Sequence, residues 1–520
     1  MGASRSDPLV AFLVAVLFVQ FSGCQSVRVS RENYAPTSAL AINPSTPYLK
    51  VHMLNGDVYV LTGWTIDRES KEVRGTGKRF DFNRTLTKTD TFEIPIQGVA
   101  LFETNSIATS GPIVAMTIVT GASLALTVFC ISNPKACFGS CPTFYVWDGK
   151  QMRVQAEGFS SSVIPAFESE DIDALYSAKP PNRKLEVILT NEAMETHVIR
   201  YAHLLLARHG ENDRVFVTPS NEFYEADMIS RPSSAIAPEG DCLEKLSAVD
   251  GIERFSLADS SDLLTKEEIE LTFDSAPGGE LGLVLGYRQT LLTTFLFYQA
   301  LAYMGNSAGQ WMAQMQSAGS DYAAKIKSLF LGPVGTIEIF RQDGEGNWEK
   351  AGEMSETGPI ATNLELLPIS HEASSTVRLK LRMTRGLWRL DYAALAHLKK
   401  KVKPERLLPE GVVRGDTAVD EEAKKNLAGL AGPLVTLPGD RYSIIYEMPV
   451  DYQAYDLFID TRGYYLEWIR KEWIAEENPN MTFMMFSDPV KYLRVLAPQF
   501  KKVEAQMEQA FWRSKYVQHQ

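Results

Sequence analysis

Five cysteines and seven histidines are the side chains in this sequence with the chemistry to cross-link, ligate metal or attack a substrate. Cys137-Phe138-Gly139-Ser140-Cys141 is the close pair. A C-x3-C spacing with an internal glycine suits a tight disulfide loop, and no second Cys/His pair follows at the spacing of a zinc knuckle. With Cys24 set aside at the end of an N-terminal apolar segment, Cys130, Cys137, Cys141 and Cys242 remain. Four thiols suffice for two disulfides in an oxidising compartment, in a pairing that sequence does not fix. The histidines (His52, His197, His203, His209, His371, His397, His519) are scattered, and His203 and His209 flank a strand-like run with no further ligands nearby. No metal site and no cofactor is therefore expected. G-x-S-x-G, H-E-x-x-H and P-loop signatures do not occur. Asp440, Glu467 and Arg470 could share proton-transfer work only if the fold gathered them, and nothing in the sequence does so. The expectation is a non-enzymatic protein.

The elements around these residues begin with Met1 to Cys24, MGASRSDPLVAFLVAVLFVQFSGC. Arg5 makes a weak positive start and Leu9 to Phe21 an apolar stretch of signal-peptide length. Phe21-Ser22-Gly23-Cys24 resembles the lipobox of bacterial lipoproteins, although Phe21 stands where leucine is usual and Asp7 is an acid in a region that normally lacks them. The resemblance implies lipidation of Cys24 and, because Gln25 rather than aspartate follows, an outer-membrane lipoprotein of the cell envelope, facing the periplasm or the surface. Several acyl chains, at about 0.8 kcal/mol per buried methylene, anchor stably where one does not.

At 520 residues the chain exceeds one core, and roughly two to four domains are expected. Hydrophobic and charged contents of 45% and 22% are those of a globular protein, and a net charge of -12 excludes nucleic acid as a partner. The fold class expected is mainly β, α+β overall. After a signal peptide (1–23) and tether (24–46), residues 47–106 form a small barrel-like β unit, with Asn55-Gly56-Asp57 turning a hairpin. Residues 107–134 are an apolar helical segment. Gly111 to Ile131 carries no charge and is long enough to span a bilayer. A lipid anchor upstream and a disulfide pair downstream would put both flanks outside the cytoplasm, which favours a buried or membrane-resting segment over a span. The partners expected are thus the membrane, through the anchor and through 111–131, and a protein or glycan.

Cys141-Pro142-Thr143-Phe144-Tyr145-Val146-Trp147-Asp148-Gly149 opens the larger body and resembles a "CP-x-hydrophobic-Y-x-W-D-G" motif of uncharacterised bacterial envelope lipoproteins. The resemblance implies location and a hairpin turning at Asp148-Gly149, but no activity. The body divides into a β domain (135–265), a β-sandwich-like domain (266–400) with a helical insertion (291–330), and a C-terminal α+β extension (401–520). Residues 211–264 read as loop. Leu291 to Met304 is apolar nearly all round and must be buried or docked into an assembly. Gly463 to Trp473 reads as an aromatic helix and 487–514 as an amphipathic one. Gly386-Leu387-Trp388-Arg389-Leu390-Asp391 is similar to the closing strands of galactose-binding-like jelly rolls. That similarity implies Arg288, Gln289, Trp388 and Asp391 as ligand contacts. Glycan binding, glycan hydrolysis and a structural part in an envelope assembly stand as alternatives to a general binding or scaffold role.

Overall fold

The computed structural model describes residues 27–109, 141–308, 311, 332–467 and 476–515, with breaks of at most six residues inside these ranges. Cys24, Cys130, Cys137, the apolar run 111–131 and, apart from Trp311, the part of the expected helical insertion from 309 to 330 lie outside the described residues. Among the described residues no helix is long and apolar enough to cross a membrane.

The chain is mainly β, and its described residues build five sheets. The first is a six-stranded antiparallel sheet in the order Val27–Tyr34, Val99–Thr109, Leu49–Met53, Val58–Asp67, Glu72–Phe80, Leu86–Pro95. The hairpin at Asn55–Asp57 forms as read from sequence, with His52 opposite Val58. Residues 27–34, expected as tether, instead form an edge strand paired with Phe102–Thr109, from Tyr34 opposite Phe102 to Val27 opposite Thr109. Leu49, Val51, Leu61, Val73 and Phe102 alternate inward and are buried, while the far edge Leu86–Pro95 is almost wholly exposed.

The remaining four sheets make two sandwiches. In the first, Thr143–Trp147 and Met152–Glu157 pair with Lys184–Thr190 and Arg441–Glu447. This sheet packs on a second containing Glu195–His209, Ala454–Glu467 and Ser169–Ala174, and their facing residues form one core. The Trp147–Gly149 hairpin is as expected. Asp148 Oδ1 accepts the Lys150 and Gln151 amides at 2.8 and 2.9 Å, and Gly149 adopts φ +97°, a conformation that strains any side-chain-bearing residue. Ala202 to Ala207 are buried without a break. Both faces of their strand are covered, one by the first sheet and the other by Val215, Val217 and Phe223 of the second sandwich. That double cover explains an apolar run where a one-sided strand would alternate.

The second sandwich joins Phe223–Ser230, Arg214–Val217, Asn363–Ile369, Leu281–Gln289, Trp388–Val402 and Arg254–Phe255 in one sheet. Its other sheet holds Lys266–Asp274, Thr376–Thr384, Ile337–Gln342 and Trp348–Met354. The pairings cross the boundaries drawn from sequence at 265/266 and 400/401. Residues 405–467 complete the first sandwich, and strands within 211–264, expected as loop, belong to the second.

Two further expectations change. Gly463–Glu467, expected as the start of an aromatic helix, continue the strand Ala454–Glu467, which pairs with Glu195–His209 across one register shift between Ile199 and Tyr201, so Tyr464 and Tyr465 point to opposite faces; residues 468–473 of that expected helix lie outside the described residues. The apolar helix Leu292–Met304 is covered by this chain's own helices Pro479–Ser487 and Pro489–Lys515, Phe295 meeting Phe500 at 5.0 Å between ring centres. Most of its apolar surface is thus buried within the chain itself. Asn478 caps the first of the two covering helices by accepting the Met481 amide at 3.1 Å.

Candidate functional site

Glu157 ends the strand Met152–Glu157 with its side chain aimed at the second sandwich. Its own amide donates to Asp173 Oδ2 at 3.3 Å, and the Phe159 amide donates to Asp171 Oδ2 at 2.7 Å. The Glu157 carboxyl reaches across to the loop before Asn363–Ile369, where Oε2 accepts the Ile360 amide at 2.9 Å. Only glycine fits at 358, because a Cβ there would sit 1.9 Å from Oε2. Oε1 has no hydrogen-bond partner among the described residues.

Burial pushes the Glu157 carboxyl up to about 7, against the Ile360 amide, which favours the charged form. Glu365, on the adjoining strand, is likewise pushed to about 7 by burial, against the Tyr287 hydroxyl that donates to it. Asp173 is raised well above the ordinary range by burial and by the nearby Asp171 charge. The seam between the sandwiches thus holds carboxyls that keep their protons towards neutral pH.

Glu157 also lines a cavity of about 930 Å³. Cys141, Ser160, Tyr465 and Glu467 line it from the first sandwich; Lys266, Gln289, Glu338 and Glu353 from the second. Leu296, Phe297, Ala300, Leu301 and Met304 of the apolar helix and Leu493 of the C-terminal helix supply a largely apolar wall. Tyr298 donates to Glu467 at 3.2 Å, and the Tyr465 hydroxyl donates to the Ser160 carbonyl at 2.9 Å. A cavity of this size, apolar with a few converging polar groups, is built like a small-molecule site. Burial and the Glu157 and Glu195 charges raise the Cys141 thiol, so it sits as a neutral thiol rather than an activated thiolate.

The residues singled out from sequence fall differently. Arg288, Gln289, Trp388 and Asp391 are brought onto two paired strands, with Gln289 opposite Trp388, yet only Gln289 lines the cavity. Arg288 is buried, its Nε and Nη2 donating to Glu253 at 2.5 and 2.7 Å. Trp388 is a core plug, edge-on to Tyr287 at 5.7 Å. Asp391 is buried and accepts the Gly251 amide at 3.1 Å. These three are buried and do not line the cavity. Of the disulfide candidates, Cys141 and Cys242 are both free, buried thiols; they stand in different sandwiches, and Cys242 donates to the Ala235 carbonyl at 3.4 Å. Asp440 pairs with Arg414 at 3.0 Å while Glu467 lines the cavity, so these two acids serve separate places. Among the described residues no cluster of three or more His, Cys, Asp or Glu side chains is placed to hold a metal ion.

Glu157, Lys266, Tyr298 and Tyr465 carried no signal in the sequence. Each is one polar residue in a strand or helix, and only the contact between sandwiches makes them neighbours.

Comparison with protein families finds no matching family, and no curated protein matches in sequence. Among solved structures, the infectious bursal disease virus Gx strain aligns over 95% of this chain and 92% of its own at 8% identity with a TM-score of 0.13. The subviral particle of the same virus aligns over 95% and 94% at 9% identity with a TM-score of 0.11. Likeness at that level carries no argument about fold or function.

Proposed function

We propose that this chain is a non-enzymatic, lipid-anchored protein of the cell envelope that holds a small, mainly apolar ligand between its two sandwiches. The observation that supports binding is the cavity itself, about 930 Å³ with an apolar helix along one wall and Glu157 along another. The neutral Cys141 thiol favours binding over covalent catalysis. Anchorage rests on the sequence ending in Cys24.

The two parts are tested separately. The full-length chain without its first 24 residues should bind the neutral dye N-phenylnaphthylamine with one site per chain, read by dye fluorescence. Ala300 is buried and lines the cavity, so Ala300→Phe fills it and should weaken dye binding at least about tenfold without unfolding the protein. A wild-type protein that leaves the dye unbound would refute the cavity as a ligand site. For the anchor, growth with radiolabelled palmitate should label the wild type and not Cys24→Ala; label persisting in the variant would remove the lipoprotein reading.

A further inference from the structure

Lys266 lines the cavity from the start of the strand Lys266–Asp274. Its ammonium donates to two neutral oxygens, Thr384 Oγ1 at 2.7 Å and the Val334 carbonyl at 3.1 Å. An ammonium has three protons, so one donor remains. The acids nearby are engaged elsewhere. Glu338 and Glu353, which share this wall, both bind Lys350, at 3.2 and 2.7 Å. Glu157 and Glu467 line the cavity from the other sandwich. Glu338 favours the Lys266 charge from nearby, but the hydrogen bonds of the ammonium go only to neutral oxygens, and a half-buried cation beside an apolar wall is better satisfied when an anion takes its remaining proton. Burial holds the Lys266 ammonium below its ordinary range, against the Glu338 charge that favours it, and the Arg382 charge adds to the lowering.

Building on the proposed cavity function, we infer that the ligand is an anionic amphiphile: its acid group pairs with Lys266 Nζ and its apolar body lies along Leu296, Ala300 and Leu301. Lys266 is then the residue that sets head-group specificity. Strand 266–274 fixes it in register opposite Thr384. The remaining proton of the ammonium meets the acid while the two neutral oxygens keep the side chain oriented.

The test displaces bound N-phenylnaphthylamine with dodecanoate or with its methyl ester, which share a chain and differ in charge. Dodecanoate should compete at least about tenfold better than the ester on the wild type, the difference expected of one charge-assisted hydrogen bond. Lys266→Met should erase that preference while still binding the dye, and Lys266→Arg should keep it. Equal competition by acid and ester on the wild type, or a preference that survives Lys266→Met, overturns the assignment of Lys266. Dye displaced by neither compound does so too and leaves the cavity reading standing. Failure of the dye to bind the wild type overturns both. The wild-type comparison needs no variant, so a poorly folding substitution does not blunt it.

Discussion

Glu253→Ala should lower the unfolding free energy of the body by about 3–5 kcal/mol, the cost of removing one partner from a buried ion pair. Glu253 is 4% exposed and holds two arginines at once. Arg288 approaches in a fork at 2.5 and 2.7 Å and Arg389 at 3.2 Å, with the Arg389 guanidinium stacked 3.9 Å above the Phe255 ring. Both guanidiniums are buried. Alanine leaves them facing each other without the carboxylate. Glu253→Gln, which retains an acceptor, should cost less. The exposed pair Arg183–Glu447, at 57% and 52% exposure, provides the contrast: Glu447→Ala should change stability by no more than about 1 kcal/mol. Urea unfolding followed by tryptophan fluorescence measures all three. Equal costs for Glu253→Ala and Glu447→Ala would show that burial does not govern this pair.

The body should also lose stability as pH rises from about 4.5 to 7. Glu157 and Glu365 sit near 7 in the folded chain against an ordinary value of 4.5, and Asp391 and Asp460 near 6 against 3.8. A carboxyl raised in this way stabilises the fold fully below its unfolded value, and the contribution disappears as pH climbs through its folded value. For Glu157 or Glu365 the full swing is about 3 kcal/mol. Buried His203, depressed by desolvation, acts in the opposite sense on acidification, but it is one group against four. The N-terminal sheet carries the reverse dependence. Burial opposes the charge on Glu103, yet His52 at 3.0 Å and Lys50 at 2.8 Å hold it well below the ordinary carboxylate range, so its contribution is lost as pH falls. Thermal unfolding at pH 5 and pH 8 should show a body transition that moves down with pH. Glu157→Gln keeps an acceptor for the Ile360 amide and should reduce that movement, making the variant the more stable protein at pH 8. A body transition rising between pH 5 and 7 would contradict the buried, proton-bearing seam.

Where period and turn chemistry act locally, the sequence alone settled the outcome. Asn55–Asp57 and Asp148–Gly149 turn hairpins because their residues suit tight turns, and the strands legible at Leu185–Thr190, Glu268–Phe273 and Val377–Met383 lie within the observed Lys184–Thr190, Lys266–Asp274 and Thr376–Thr384. The uniform apolarity of Leu292–Met304 required that it be covered, and it is. Tyrosine-rich Ala454–Glu467 misled because the same apolar pattern satisfies a doubly covered strand and a buried helix. Pairing over 14 residues with Glu195–His209 decided it, and that partner lies some 250 residues away in the chain. Sequence cannot tell a polar side chain held by an internal partner from one facing a cavity; for Arg288 the partner is Glu253, 35 residues away, and for Asp391 it is the Gly251 amide. The cavity belonged wholly to tertiary structure. Glu157, Lys266 and Ala300 come from two sandwiches and a helix, and no local rule couples them. Residue chemistry determined which segments must hide from water; which polar groups were caught between those segments, and so acquired a function, depended on how the sandwiches met.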